Sequence, residues 1–255
     1  MTQPASLPGG ARLLHLSEID STNAEAARLA ARGERGPIWI LADRQSAARG
    51  RRGRGWSETE GNLTASLLIA PDMTPERAAL TSFAAALAVA ELFRTLAPRA
   101  EVTMKWPNDV LLNGRKAAGI LLESSGGAGR LDWLVIGIGV NLGQPPEMTE
   151  IRPGGTPPTG IAAEGGRHAT PRAALEILAA ALDRSLGQLT QEGFAPVRAA
   201  WMAQAARLGQ RIGAGLANES LEGVFEDVDP SGALVLRTGQ GGLRRIAAAD
   251  IFFPD

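Results

Sequence analysis

The sequence predicts an α+β fold that ends in a small all-β domain. Helical periodicity places Leu80, Phe83 and Leu87 on one face of a long helix, and later leucines repeat in the same way. Residues 101–140 instead alternate apolar and polar side chains, as the strands of a meander do. After residue 208 only short apolar segments and turns such as DPSG and GQGG remain, which is typical of a β barrel of about 45 residues.

Helices and strands alternate along the N-terminal half. Residues 1–11 lack the layout of a signal peptide and are expected to form a flexible tail. Thr22 predicts a helix N-cap, since Glu25 three residues later completes a capping box, and Gly33 predicts the end of the helix. The segments predicted next are a strand at Ile38–Leu41, a strand at Leu63–Ala70, a helix from Pro75 to Pro98, and strands at Val102–Trp106, Val110–Leu112, Ala117–Leu122 and Leu131–Val140.

Turn and helix signals organise the C-terminal half. Residues 144–170 are rich in Pro and Gly without a period, so a long loop is predicted, and its mobility is left open. Helices are predicted from Pro171 onward and from Pro196 to Leu208. The strands predicted after them are Leu221–Val228, Ala233–Arg237 and Leu243–Ile246.

Composition excludes several kinds of chemistry. The chain has no cysteine, so disulfides, thiolate metal sites and thiol nucleophiles are excluded. His15 and His168 are its two histidines, and their separation disfavours a zinc site or a catalytic triad. The longest uncharged helical stretch, Ala78–Ala90, is shorter than the roughly 20 residues of a membrane span. A net charge of −1 offers no general attraction for nucleic acid, so a cytoplasmic globular protein is expected.

The basic residues are almost all arginine. Of the 26 basic residues only Lys105 and Lys116 are lysine, and they lie eleven positions apart. Because every other basic position in the chain is occupied by arginine, two lysines so close in sequence indicate a site that needs a compact ammonium rather than a planar guanidinium. Chance survival of two lysines is the alternative.

A loop between two predicted strands combines arginine with glycine. Arg49, Arg51, Arg52 and Arg54 alternate with glycines in the sequence AARGRRGRGW, which ends at Trp56. Glycines let backbone amides approach an anion, and guanidinium groups bind phosphate or carboxylate through two hydrogen bonds. The pattern favours a clamp for a small anionic ligand; an RNA-binding segment or a solvated loop is the alternative.

A strand that carries a lysine predicts a second part of the site. Parity places Lys105 on the face opposite Met104 and Trp106. If the face that carries Met104 and Trp106 packs on helices, Lys105 points to the open side, where a partly buried ammonium is costly without a carboxylate or phosphate partner. Asn108 and Asp109 follow where the chain turns. A buried lysine at this position indicates an anionic ligand.

The strand VIGIGVNLG predicts a flat floor. Gly137, Gly139 and Asn141 share one face by parity, so two positions without a side chain are followed by an amide. A bulge or simple crowding would also explain the glycines. The glycine spacing is not that of a dinucleotide-binding turn, and no Walker A motif is present, so any ATP is held in another way.

Four motifs together resemble a known family. STN at 21–23, QSAARGRRGRGW at 45–56, KWPNDVLLNGRKAAGILLE at 105–123 and VIGIGVNLG at 135–143, in this order and spacing, resemble the biotin–protein ligases. The resemblance implies a mixed sheet flanked by helices, related to the class II aminoacyl-tRNA synthetase core, followed by an SH3-like barrel. It implies a flexible tail of residues 1–11, a catalytic domain of residues 12–208 and an SH3-like domain of residues 209–255.

The resemblance also implies roles for individual residues. Lys105 and Arg51 correspond to catalytic positions, and Asp109 is our candidate for orienting or deprotonating the incoming ammonium. The positions implied for biotin are Ser21, Thr22, Asn23, Gln45, Arg49, Gly50, Arg51, Lys105, Gly137 and Gly139. The positions implied for the nucleotide are Arg51, Arg54, Trp56, Asn108, Lys116 and Asn141.

The implied reaction has two steps. Biotin and ATP, with Mg²⁺, give biotinyl-AMP and pyrophosphate, and a lysine of a biotin carboxyl carrier protein or domain then receives biotin. A lipoate-type ligase on the same core, or a nucleic-acid-binding module that uses the Arg/Gly loop, is the alternative. No membrane partner is expected, because no membrane span is predicted. No DNA partner is expected, because the chain starts at the catalytic domain without the helix-turn-helix that many relatives carry; a homodimer is left open. One departure is Ala48, where the family usually has glycine.

Overall fold

Two β-sheets and five α-helices make up the described part of this computed structural model. The structure describes residues 6–53, 55–56, 60–127, 129–145, 155–216, 218–239 and 241–254.

The larger sheet has eight strands in the order β1-β2-β3-β4-β8-β7-β6-β5. Strands β2 and β3 are parallel, and the other neighbouring pairs are antiparallel, so the sheet is mixed and the predicted α+β class is confirmed. The strands are β1 Ser6–Leu7, β2 Ala11–Ile19, β3 Ile38–Gln45, β4 Leu63–Ile69, β5 Val102–Lys105, β6 Asp109–Leu112, β7 Arg115–Gly127 and β8 Arg130–Val140.

Helices cover both faces of this sheet. Helices α3 and α4 pack against each other and on one face, while α1 packs on β3, β4 and β8 from the other face. The helices are α1 Thr22–Ala31, α2 Pro75–Ala79, α3 Thr81–Leu96, α4 Pro171–Glu192 and α5 Phe194–Met202.

Strand alternation gives the sheet an apolar face and a face with polar and small residues. In β8, Ile136 and Ile138 belong to the main core beneath α3 and α4. Their neighbours Gly137 and Gly139 point the opposite way, as do Ser66 and its neighbours of like parity in β4. The resulting floor lies beside the N-terminal end of α1.

The N-terminal segment differs from the expected flexible tail. Residues Ser6 and Leu7 pair with Arg12 and Ala11 in the sheet. Leu7 and Ala11 are 3% and 2% exposed, so their burial in the core fixes residues 6–11 in place. The first five residues of the predicted tail lie outside the described part.

The first helix begins one residue earlier than the capping box predicted. Ser21, with extended backbone, is the N-cap, and its hydroxyl accepts from the Ala24 N–H. Thr22 is the first helical residue, because its backbone N–H and hydroxyl both donate to Gln45. The predicted end of the helix near Gly33 is confirmed, since α1 ends at Ala31 and Gly33 has a φ of 95°.

The last predicted helix, Pro196–Leu208, is shorter and begins earlier, at Phe194–Met202. The chain leaves the helix to pair with the edge strand β5. The Met104 N–H donates to the Gln204 carbonyl, and the Ala206 N–H donates to the Met104 carbonyl. These two bonds satisfy backbone groups that helix formation would leave exposed at the sheet edge.

The long predicted loop is partly packed. Residues 155–170 have no helix, but Thr159 and Ile161 are 0% and 1% exposed. Pro158 forms a bridge with Lys116, and the Thr159 N–H donates to the Lys116 carbonyl. The described half of the loop is therefore fixed beside β7, and residues 146–154 lie outside the described part.

Helices α2 and α3 together form an apolar segment that is longer than the uncharged stretch Ala78–Ala90. Residues Pro75–Leu96 have the length and composition of a membrane-crossing helix. However, 67% of the most apolar stretch of this segment is buried within the protein, against α4 and the sheet. Packing in the core accounts for this composition.

A second sheet forms the C-terminal part. Two of its strands, β9 and β13, were missed by the sequence prediction, and the other three match it within a residue or two. All observed pairings are antiparallel, in the order β12-β11-β10-β9-β13. The strands are β9 Arg211–Gly215, β10 Ser220–Val228, β11 Leu234–Thr238, β12 Leu243–Ile246 and β13 Asp250–Phe252.

Candidate active site

The polar N-terminal end of α1 forms one end of the site. Thr22 donates to Gln45 Oε1 from its backbone nitrogen at 2.7 Å and from its hydroxyl at 3.1 Å. The Ser66 hydroxyl lies 2.7 Å from Thr22 Oγ1 and 2.5 Å from Asn23 Oδ1. Thr22, Asn23 and Ser66 are at most 4% exposed, so this hydrogen-bonding group is held rigidly in a largely dry environment.

Gly137 provides the floor under this polar end. A Cβ at this position would lie 2.1 Å from Asn23 Oδ1, far inside contact distance. Any side chain here would displace the Asn23 amide. The predicted flat floor is therefore a close approach between strand β8 and helix α1 rather than a bulge.

Trp56 lies on the next part of the same floor. A Cβ at Gly139 would lie 2.7 Å from Trp56 Cε2, and a Cβ at Gly119, its cross-strand partner, would lie 2.9 Å from Trp56 Cζ3. The Lys116 ammonium lies 5.6 Å from the centre of a Trp56 ring. Within the described part of the chain, Trp56 Nε1 is buried and has no hydrogen-bond partner.

Lys105 is buried, as the strand parity predicted. It is 7% exposed, and its Nζ donates to Thr156 Oγ1 at 2.7 Å. The ammonium also lies 4.7 Å from the ring centre of Phe253, which follows β13. Thr156 and Phe253 were not identified from the sequence, since one lies in an irregular loop and the other near the end of the second domain.

The turn after β5 supplies an amide and a carboxylate. Asn108 donates from Nδ2 to the Ile120 carbonyl at 2.7 Å, while its Oδ1 accepts from Arg51 at 3.3 Å. Asp109 forms an ion pair with Lys116, with 2.7 Å between Nζ and Oδ1. The turn therefore fixes Arg51 and Lys116 around one region.

The arginine loop lies between the two sheets. Arg49 pairs with Glu123 on β7 at 3.6 Å, and Arg52 pairs with Asp250 of the second sheet at 3.1 Å. Arg52 has a φ of 56°, which directs the chain back toward the floor. Arg54, predicted to contact nucleotide, lies outside the described residues.

Ala48 fits the loop without backbone strain. Its carbonyl accepts from the Trp56 N–H at 3.1 Å. Among the described non-glycine residues, only Arg52, Asn113 and Arg207 have positive φ, so the backbone at position 48 does not require glycine.

Asn141 is held in a buried amide network rather than projecting freely. It is 2% exposed, donates to the Thr159 carbonyl at 2.8 Å and accepts from Asn62 at 3.2 Å. Thr159 in turn donates to Glu164. The hydrogen bond from the Thr159 hydroxyl lowers the pKa of the Glu164 carboxyl below its usual value, and a weaker contribution comes from the Asn113 amide. Together they outweigh the partial burial of the carboxyl, which raises the pKa.

These groups surround one cavity of about 640 Å³. Every predicted site residue that the structure describes lines it. The second sheet contributes a wall that sequence reasoning missed, which includes Leu216, Ala249 and Phe252. This wall lies close to the first sheet because of contacts between segments that are distant in sequence, such as the hydrogen bond from Trp106 Nε1 to the Gly232 carbonyl. No local motif indicates such contacts.

The two ends of the cavity differ in chemistry. The α1 end offers oriented neutral donors and acceptors, which suits an uncharged polar group. The other end gathers the cations Arg51, Lys105 and Lys116 with the Trp56 ring, which suits phosphate and an aromatic base. A ligand with a carboxylate could lie at their junction and meet a phosphate there.

Comparisons with known proteins assign this arrangement to a class. Residues 17–141 match the biotin/lipoate A/B protein ligase family, and residues 208–253 match the biotin protein ligase C terminal domain. These matches define a ligase of the biotin/lipoate class whose C-terminal sheet is the SH3-like domain that was predicted.

Similar proteins narrow the class further. The chain is 47% identical over 239 residues to a biotin–[acetyl-CoA-carboxylase] ligase of Paracoccus denitrificans, covering 93% of this chain and 99% of that one. A biotin protein ligase from Leishmania major in complex with biotinyl-5-AMP superposes with a TM-score of 0.58 at 26% identity, over 92% and 98% of the two chains. The Aquifex aeolicus enzyme with biotin and ATP has the same fold, with a TM-score of 0.75 at 24% identity, over 94% and 97%. The chain belongs to the biotin–protein ligase family.

Proposed function

We propose that the protein activates biotin with ATP and transfers it to a lysine of a carrier domain in acetyl-CoA carboxylase. One observation carries the proposal: a single cavity joins a neutral hydrogen-bonding end to a cationic end that contains a tryptophan. Biotin has a neutral ureido ring and a carboxylate at the two ends of its structure, and ATP supplies phosphates and an aromatic base. The similarity to the Paracoccus ligase supports the choice of acceptor.

Biotin occupies the α1 end. Its ureido group exchanges hydrogen bonds with Ser21, Thr22, Asn23 and Gln45, and the flat backbone at Gly137 and Gly139 makes room for the ring system. Burial of Ser21, Thr22 and Asn23 makes these bonds selective, because a ligand that lacks the ureido groups would leave buried polar atoms unpaired.

ATP occupies the cationic end. Its base lies against Trp56, which lines the cavity beside Gly119 and Gly139. Asn108 contacts the nucleotide, Asn141 lines the same end of the cavity from its buried amide network, and Arg54 is proposed to add a contact. Lys116, Arg51 and Lys105 surround the phosphates, and Arg49 and Gly50 close over the biotin side.

The first step joins the two ligands. The biotin carboxylate oxygen attacks the α-phosphorus of ATP, the bond between the α-phosphorus and the bridging oxygen breaks, and pyrophosphate leaves. Lys105 lies at the junction and offsets charge on the carboxylate and α-phosphate, while Arg51, held by Asn108, stabilises the charge that develops on the phosphate. Positioning and charge stabilisation, rather than covalent catalysis by the chain, account for the rate.

Mg²⁺ enters as part of the ATP substrate, where it neutralises phosphate charge. Among the described residues no group of three or more His, Asp or Glu side chains could hold a resident metal ion.

In the second step the amine of the acceptor lysine attacks the carbonyl of biotinyl-AMP, an amide forms and AMP leaves. Asp109, which lines the cavity and pairs with Lys116, orients the incoming ammonium and accepts its proton. An Asp109→Asn variant that transfers biotin from preformed biotinyl-AMP at the wild-type rate would exclude this role. We further propose a cytoplasmic location and a functional division at residue 208.

The test is pyrophosphate release from ATP by the purified protein with biotin, with lipoate and with neither. We expect release with biotin only, with a loss of at least about a hundredfold in Lys105→Met, since a preorganised charge at a reacting phosphate contributes several kcal/mol. Arg184→Met, a surface change in α4, is the matched control and should keep the wild-type rate. Release that is equal with lipoate, or that is independent of biotin, would overturn the proposal.

A further inference from the structure

Glu123 connects two parts of the biotin end that are distant in sequence. Its Oε2 accepts from Asn23 Nδ2 at 2.7 Å, and its Oε1 lies 3.6 Å from a guanidinium nitrogen of Arg49. Asn23 belongs to helix α1 and Arg49 to the arginine loop, so one carboxylate on β7 bridges both. Glu123 is the last residue of the motif at 105–123, but none of the residue roles or reaction steps given above uses it.

The carboxylate fixes which way the Asn23 amide faces. An ionised carboxylate can only accept hydrogen bonds, so the NH₂ of Asn23 must point toward it. The amide oxygen then points to the Ser66 hydroxyl and lies directly over Gly137. Without Glu123, the remaining protein acceptor for this NH₂ is the Leu121 carbonyl at 3.4 Å, and the amide could rotate.

The same carboxylate attracts the loop. Arg49 follows Ala48 in the segment that turns back at Trp56, and its side chain is 47% exposed, compared with 32% for Glu123. Solvent screens this pair, so its contribution is smaller than that of the bond to the buried Asn23. The hydrogen bond to Asn23 is therefore the stronger of the two contacts of Glu123.

We propose that Glu123 is a positioning residue for biotin, which orients the Asn23 amide toward the ureido ring and draws Arg49 over the same end of the cavity. The inference rests on the proposed function. It assigns Glu123 no contact with the reacting atoms, so its loss should change biotin affinity and leave the handling of ATP unchanged.

Two substitutions separate the two contacts. Glu123→Gln keeps an oxygen that can accept from Asn23 but removes the charge that attracts Arg49. Glu123→Ala removes both. Glu222→Gln and Glu222→Ala, on β10, are matched controls, because Glu222 is also a strand glutamate paired with an arginine, Arg211.

The experiment measures KM for biotin and for ATP in pyrophosphate release, together with the Tm of each variant. We expect Glu123→Ala to raise KM for biotin by about tenfold or more, as the loss of a charged hydrogen bond to a buried group does, with KM for ATP within about twofold. Glu123→Gln should raise KM for biotin by about threefold or less. The effects of Arg49→Met and Glu123→Gln on KM for biotin should be less than additive, because both remove the pair between Glu123 and Arg49.

The possible results are distinguishable. Wild-type protein without biotin-dependent release would refute the proposed function itself. If the wild type is active, an unchanged KM for biotin in Glu123→Ala overturns the inference, as does an equal rise in KM for both substrates. If Glu123→Ala does not fold, fully additive effects of Glu123→Gln and Arg49→Met on KM for biotin overturn it.

Discussion

Two glycines on strand β8 should control the two substrates separately. A methyl group at Gly137 would lie 2.1 Å from Asn23 Oδ1, whereas one at Gly139 would lie 2.7 Å from Trp56 Cε2. Gly137→Ala therefore disturbs the end of the cavity proposed for biotin, and Gly139→Ala disturbs the end proposed for the nucleotide. The two changes are chemically identical and two residues apart.

The geometry sets the size of each effect. Ordinary contact begins at about 3.4 Å, so Asn23 must retreat by more than 1 Å in Gly137→Ala, against the bonds that hold it to Ser66 and Glu123. Overpacking of this kind costs about 1–3 kcal/mol. If this cost falls on biotin binding, KM for biotin rises by about 5–150-fold. Trp56 is only partly buried and can move more easily, so Gly139→Ala should raise KM for ATP by about 3–10-fold.

The assay is pyrophosphate release with one substrate varied and the other saturating. Gly187→Ala is the control, because no atom lies within 4 Å of the added methyl group and alanine favours helix α4 by about 1 kcal/mol. This control should keep both KM values and unfold at a higher temperature. An effect of Gly137→Ala on ATP alone, or of Gly139→Ala on biotin alone, would refute the placement of the two substrates.

Further predictions concern the second domain and the start of α1. Phe253→Leu should slow biotin-dependent pyrophosphate release by about 3–30-fold, because a ring that faces a desolvated ammonium contributes about 0.5–2 kcal/mol to holding Lys105. The control Phe194→Leu should keep the wild-type rate. If Phe253→Leu also keeps the wild-type rate, the role of Phe253 is contradicted. Arg28, by hydrogen bonding, lowers the pKa of Asp20 from 3.8 to about 2. The pair therefore stabilises the fold above about pH 4, and this is lost as the pH falls toward 2. Asp20→Asn should lower the free energy of unfolding, measured with urea, by about 1 kcal/mol or less at pH 6, since both side chains are about 40% exposed or more. The loss should be smaller at pH 2, where about half of the carboxyl groups are protonated; a cost that grows on acidification would contradict the prediction.

Local patterns predicted most of the regular elements but missed β1, β2, β9 and β13. The end of α1 before Gly33, which has a φ of 95°, and the beginning of α4 at Pro171 each depend on neighbours within a few residues. The burial of Lys105 was also predictable, because strand parity and the packing of Met104 decide it.

What could not be predicted depends on contacts between distant segments. The observed N-cap is Ser21 rather than the predicted Thr22, because the backbone N–H and the hydroxyl of Thr22 both donate to Gln45 at the end of β3. Residues 6–11 are ordered because β2 offers an edge to β1. The partners of Lys105, Thr156 and Phe253, come from an irregular loop and from the second domain, where no spacing rule connects them to the lysine.

The central claim is that one cavity forms an acyl-adenylate and passes its acyl group to a lysine. The most direct measurement incubates the protein with biotin and ATP labelled at the α-phosphate, isolates the protein, and identifies the bound label before and after a biotin carrier domain is added. We predict bound biotinyl-AMP before the addition, and labelled AMP with stoichiometric biotin amide on the carrier after it. Label bound covalently to the protein, or carrier biotinylation without a bound adenylate, would contradict the account.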